Sequence, residues 1–424
     1  MTTAWGRQRL PFSQAILGRT TKFVLGLIIL LTFSQAWVFP MLGDIGDPAA
    51  SGLIRTLFFP AYGLGLVLLV ASPGKAILAG LRQPFLILLM AVIGASILWS
   101  IAPDQTARRA LAIYATTLCA IVLAADRTWT ELVELFATTF AVLICLSYVF
   151  SLLVPAVGIM HDLFPGAWRG VWAEKNLLGG NMTLGVCVLL AAAVLSPTRR
   201  VVWSVLAGLA FLLILLSTSK TSLVAVLLGL GAFGFVLMLR RGPIVSIVMT
   251  WLAVVILGIL AGLVLLAPDV FFDLLGKDAT FTGRTKIWQA VWRQIEQRPW
   301  TGFGYGAVWS EEGHWGPLAW ITKQAGFRGR HAHNAWLEQW LGLGFTGLVA
   351  FVLMQLQFLL GGINAAYRGI GGILALPFFI CYTIICITES VAVIYNDFRW
   401  VFFTAIAVKL FWPDENTSEP RVLA

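Results

Sequence analysis

The chain has 424 residues, 59% of them hydrophobic and 12% charged, with a mean hydropathy of +0.87. A soluble globular domain carries about 25% charged residues, so an ordinary soluble fold is excluded. The net charge of +9 comes without a soluble basic domain to present a groove or patch, which argues against nucleic acid as a partner.

Apolar runs near the ~20 residues needed to cross a bilayer recur from one end to the other. In chain order they predict twelve spans, at 21–40, 51–72, 84–101, 107–125, 131–156, 177–196, 201–217, 221–239, 244–267, 334–361, 370–388 and 395–412. The expected fold class is all-α, a polytopic membrane helical bundle with residues 1–424 as one integral membrane domain. The N-terminal tail shows no A-x-A-like cleavage site. Its first apolar run leads into further spans, so a retained helix is expected.

With the N-terminus inside, one set of loops carries Lys75, Arg82, Arg127, Arg199, Arg200, Arg240, Arg241 and Arg368. Arg7, Arg9, Arg19 and Lys22 precede the first span on the same side. The positive-inside rule then puts both termini in the cytoplasm and the long 268–333 segment outside. Cations also fall on the outer side: Arg108, Arg109, Arg169, Lys175, Lys220, Arg284 and Lys286. Any one of them is explained by snorkelling to headgroups or by pairing with Asp104 or Glu174. Together they describe a cationic outer vestibule. Cys119, Cys145, Cys187, Cys381 and Cys386 all lie within predicted spans and read as apolar packing residues, not disulfide partners.

Within the external segment, Trp288, Val291, Trp292 and Ile295 share one face at helical spacing. An amphipathic helix is expected there, on the outer membrane surface or against the bundle. Pro299 stops it, and Thr301-Gly302-Phe303-Gly304-Tyr305-Gly306 supplies a turn. Those alternate glycines lack the preceding strand and the spacing of a dinucleotide fingerprint. Six tryptophans between 268 and 333 suit the bilayer interface, and one or two could stack on sugar rings.

The segment then runs back into an apolar span through His331-Ala332-His333-Asn334-Ala335-Trp336-Leu337-Glu338. Two of the chain's four histidines stand at this mouth. Imidazole is the side chain best suited to proton transfer near neutral pH. Spacing alone does not choose between His331 and His333, while His161 and His314 read as surface residues. Glu389, Asp397 and Arg399, near the outer junction of the last two spans, read either as a loop ion pair or as residues lining the acceptor path, and the sequence does not separate the two.

His333-Asn334, nine residues, then Gly344-Phe345-Thr346-Gly347 resembles the H-N-x9-G-x-x-G pattern of the O-antigen ligase and polymerase superfamily of bacterial envelopes. Trp172-Ala173-Glu174-Lys175-Asn176 resembles a second signature of that family, and Gly283-Arg284 with Pro299-Trp300-Thr301-Gly302-Phe303-Gly304 a third. The match is best from about 170 to 350, and the exopolysaccharide polymerases are the most similar members. The resemblance implies a C-type glycosyltransferase architecture with 268–333 as a large periplasmic loop. It also implies an inverting transfer, without a cofactor or metal, from an oligosaccharide on undecaprenyl diphosphate at the outer face of the bacterial inner membrane. Membrane lipid and proteins of polysaccharide export or chain-length control are the partners such a role brings. One departure stands out, because Lys220 occupies a small-polar cluster where the family often has arginine.

On this reading His333 is the catalytic base and His331 its rival. Arg284, Lys220, Arg169 and Lys175 bind the diphosphate, and Asn334 and Asn176 support the acceptor or the helix starts. A polymerase is the expectation, with an O-antigen or protein ligase as the alternative. A lipid-linked oligosaccharide flippase is more distant, because its polar groups should lie at mid-membrane, whereas here charges cluster at outer span ends. A scaffold of an envelope complex would need neither His333 nor the basic vestibule.

Overall fold

The computed structural model describes residues 17–43, 52–266, 284–310, 315–412 and 414. His314, Gly283, Arg7 and Arg9 lie outside the described residues. Each of the twelve apolar runs contains helix. Seven of the described helices are long and apolar enough to cross a membrane, and an eighth crossing results if Pro73–Leu81 and Pro84–Trp99, bent by 90°, are one broken span. Arg19–Phe33, Gly372–Thr388 and Phe398–Phe411 are shorter, at 15, 17 and 14 residues. At 1.5 Å per residue such helices fall short of a ~30 Å hydrocarbon core. Twelve apolar runs therefore do not translate into twelve full-length straight helices.

Local sequence explains the helix starts. Thr128 and Glu131 form a reciprocal capping box that opens Trp129–Leu153. Proline at the first helical position opens Pro103–Ala125, where its missing N–H costs nothing. Lys175–Leu195 is the most enclosed of the spans. Small residues let it pack closely, with Gly179 against Ser217 and Ser222 and Gly185 against the Phe140 ring. A stack of buried rings, Phe379–Phe358–Phe403–Trp400, ties the last three helices together. Val201, Val202 and Val205 point outward, as lipid-facing residues should. Four cysteines are buried and Cys145 is exposed; all are free thiols.

Above the bundle, Arg284–Gln297 and Pro317–Ala325 enclose a second, smaller core of Ile287, Val291, Ile295, Phe303, Leu318 and Ile321. The inward stripe is Ile287–Val291–Ile295. Trp292 stays 44% exposed, edge-on to Trp340 at 5.2 Å. The amphipathic helix thus turns its aliphatic stripe to protein and leaves Trp292 at the rim.

This layer is locked to the spans through glycines. The Ala335–Arg368 helix breaks at Gly344, which has φ +66°. The break frees backbone groups that the 299–304 turn takes up: Phe303 N–H donates to Leu341 O (3.0 Å), Gly304 N–H to Gly342 O (2.8 Å), and Phe345 N–H to Pro299 O (2.8 Å). A Cβ on Gly344 would sit 2.2 Å from Trp300 O, and one on Gly302 2.6 Å from Gly344 N. Two motifs far apart in sequence are therefore halves of one backbone junction.

Candidate functional site

The site begins at the N-terminus of the Ala335–Arg368 helix. Asn334 caps it, its Oδ1 accepting from Trp336 N–H (2.9 Å) and Leu337 N–H (3.1 Å). His333 takes a left-handed backbone conformation, φ +51°, which costs a non-glycine residue roughly 1–3 kcal/mol. Glu338, one turn into the helix, reaches back to hold the loop. It accepts from Ala332 N–H (2.9 Å), Ser390 Oγ (3.1 Å) and the Trp309 indole.

His333 Nδ1 lies 3.0 Å from Glu389 Oε2, and Glu389 Oε1 lies 2.6 Å from Arg284 Nη2. Arg284 Nη1 also donates to Thr388 O at 2.5 Å. Burial by itself would raise the Glu389 carboxyl. The His333 hydrogen bond and the Arg284 charge outweigh it and bring the group down to about 2. An ionised carboxylate only accepts hydrogen bonds. Nδ1 of His333 therefore carries a proton, and in the neutral ring Nε2 is the remaining acceptor.

His331 lies beside this pair, its ring tilted 52° to that of His333 at a centroid distance of 3.9 Å, and its Nδ1 accepts His333 N–H at 3.2 Å. Burial, then the neighbouring His333, pushes His331 down to about 3, so it is neutral and a weak base at neutral pH. His331 and Glu389 both line a cavity of about 730 Å³, together with Trp172, Asn176, Tyr305 and Tyr395.

The structure thus brings His331, His333, Asn334 and Arg284 together. Lys175 and the turn before Lys220 form a separate cluster, in which Lys175 Nζ donates to Thr218 Oγ1 (3.1 Å) and lies over the Phe164 ring. Lys220 opens the next helix, Lys220–Leu239. Arg169 faces elsewhere, donating to Val157 O (2.8 Å) and Ala156 O (3.1 Å) and stacking on Phe39. Asn176 borders the cavity from the first turn of Lys175–Leu195.

Residues 205–352 match the model of the O-antigen ligase family, a stretch that holds Lys220, Arg284, His333 and both halves of the glycine junction. The exopolysaccharide production protein ExoQ of Rhizobium meliloti (strain 1021) is 27% identical over 282 residues, 63% of this chain. The aligned part spans 62% of that relative's length. Over these stretches the chain is similar to the O-antigen ligase and polymerase superfamily.

The residue whose role the sequence left open between a loop ion pair and the acceptor path is Glu389, and it borders the cavity. It does not join a loop pair with Asp397 and Arg399. Those two pair with each other, and Asp397 caps the Phe398–Phe411 helix. Glu389 instead follows the Gly372–Thr388 helix directly, where the chain turns under His333. Its position as one of the few acids at a span end was the available signal. Glu338 gave less signal, being one polar residue on an amphipathic stretch.

His331, His333 and Glu389 offer ligand atoms within 4.8 Å of one another, close enough for a divalent ion. The donor set favours hydrogen bonding instead. Both carboxylate oxygens and both Nδ1 atoms are already engaged, and the Arg284 cation sits against the carboxylate. A carboxylate holding Nδ1–H while Nε2 stays free orients an imidazole for general-base work.

Proposed function

We propose that this membrane protein is a glycosyltransferase that polymerises undecaprenyl-diphosphate-linked oligosaccharide units at the outer face of the bacterial inner membrane, with both termini cytoplasmic. The observation that carries the reading is the His333–Glu389–Arg284 chain, whose Glu389 borders a cavity of about 730 Å³. His333 Nε2 takes the proton of an acceptor hydroxyl as that oxygen bonds to the anomeric carbon. The carbon–oxygen bond to the diphosphate breaks, and the lipid diphosphate leaves with the electron pair. Attack opposite the leaving group inverts the anomeric centre. A positioned base contributes roughly 10²–10⁴-fold.

The departing diphosphate requires cations, each worth on the order of 3–4 kcal/mol where charge develops. Arg284, Lys220, Arg169 and Lys175 are assigned that role, with Asn176 and Asn334 supporting substrate or helix ends. Residues 268–333 are assigned as a large periplasmic loop that carries the amphipathic helix Arg284–Gln297. The similarity to an exopolysaccharide production protein supports polymerisation. The description of the matched family supports ligation, in which the same donor is transferred to lipid A-core or protein.

Purified protein in lipid is incubated with an undecaprenyl-diphosphate oligosaccharide and no other acceptor, and products are resolved by mass. A ladder of lipid-linked multimers that His333→Ala abolishes is the expected result. Transfer only after lipid A-core is supplied makes the protein a ligase. No product with either acceptor, from folded protein, overturns the transferase reading.

A further inference from the structure

We infer that the cavity holds a second anion site, apart from Arg284, Lys220, Arg169 and Lys175, that binds an anionic group carried by the acceptor glycan; this rests on the transferase reading above. Arg55, Arg108, Arg109, Arg328 and Arg330 all line the cavity, arriving from three separate stretches of chain. Arg284, Lys220, Arg169 and Lys175, assigned to the donor diphosphate, do not line it. Arg284 is separated from the cavity arginines by Glu389, whose carboxylate borders the cavity while its oxygens are held by Arg284 and His333.

The balance of charge in the cavity wall is positive. Five guanidiniums face three carboxylates, Glu174, Glu338 and Glu389. Two of those carboxylates have other work, Glu389 with Arg284 and His333, and Glu338 with Trp309, Ser390 and the Ala332 amide.

One arginine is built in. Arg109 is only 9% exposed, donates to Gly306 O and lies over the Tyr395 ring at 5.9 Å. Gly306, at φ +67°, makes room for it, since a Cβ there would sit 2.9 Å from Arg109 Cδ. Arg108 and Arg330 are exposed and belong to different segments, so they can close on a ligand from two sides. The planar guanidinium fork matches phosphate and carboxylate oxygens in a bidentate manner. The ligand is therefore a phosphoryl or carboxylate group on the acceptor. Its two sources are the diphosphate of a second lipid-linked unit and an acidic sugar.

The test uses full-length protein in nanodiscs and an isotopically labelled lipid-diphosphate oligosaccharide donor from polymer-producing cells. Three unlabelled acceptors are compared: the same lipid-linked unit, the oligosaccharide freed of phosphate, and that free oligosaccharide with its carboxyls reduced. In Arg108→Gln/Arg330→Gln, the KM for the lipid-linked acceptor rises about tenfold or more, while the donor KM moves less than twofold. A penalty that disappears on removing phosphate identifies the acceptor diphosphate. A penalty that persists without phosphate and disappears on carboxyl reduction identifies an acidic sugar. Wild-type acceptor KM in the double variant, for all three acceptors, overturns the second site while leaving the transferase intact. If wild-type protein transfers to none of them, the transferase reading fails and the second site fails with it.

Discussion

His333 and Glu389, 56 residues apart, meet at 3.0 Å between Nδ1 and Oε2, at the start of one span and just past the end of another. The carboxylate fixes the tautomer of the ring and gains Arg284 as its own partner, so the three act as a unit. Removing the middle member leaves a half-buried arginine and an imidazole without its orienting acceptor.

Glu389→Gln should lower kcat by about 10²-fold or more, because an amide can present its NH₂ to Nδ1 and favour the wrong tautomer. Membrane insertion and the donor KM should change little. Initial rates of the reconstituted enzyme, with size-exclusion profiles as the folding control, check this. A variant as fast as wild type would remove Glu389 from the mechanism.

Acid should destabilise the protein in two stages. His331 is held at about 3 against an ordinary 6.5, so protons favour the unfolded chain as pH falls through 6.5 toward 3. Glu389 is held at about 2 against 4.5, and its contribution, full above 4.5, is lost as pH falls from there toward 2. The melting temperature in nanodiscs should therefore drop between pH 7 and 4. His331→Asn should flatten the upper part of that decline, and an unchanged slope would contradict the burial of a neutral ring.

Lys220→Ala should raise the donor KM about tenfold, the loss of one charge-assisted contact. Lys220→Arg should retain most activity, since the charge stays and a fork replaces the ammonium. Donor titrations at fixed acceptor measure both. An alanine variant with wild-type donor KM would shift the diphosphate role to Arg284 or Arg169.

Gly344→Ala should cost about 2 kcal/mol or more, because the new Cβ meets Trp300 O and the backbone is left-handed. Gly231→Ala, with nothing within 4 Å of its Cβ, should be neutral or mildly stabilising. Thermal unfolding of both in the same lipid compares them. Equal stability would mean that the glycine junction yields easily.

Exhaustive chelation should leave the reaction rate unchanged, because His331, His333 and Glu389 are committed to hydrogen bonds. Rates before and after chelator treatment, with zinc and magnesium added back, check this. Loss and metal-specific recovery would make the three residues ligands.

The apolar runs, the helical period of 287–295 and the cap at Asn334 were legible because each depends on residues within a few positions of one another. The cations at span ends were legible for a similar reason, since short loops reveal their charge without any fold. Composition also settled the class, as a chain this apolar needs a bilayer to keep its surface from water. Other features belong to tertiary structure alone. These include the pairing of Glu389 with His333 and Arg284, and the junction of Gly302 with Gly344. They also include the division of arginines between the cavity wall and the Arg284 side, and the shortness of the Gly372–Thr388 and Phe398–Phe411 helices. Such contacts join segments tens to hundreds of residues apart, and only helix packing decides which partner a buried carboxylate or an opened backbone carbonyl will find.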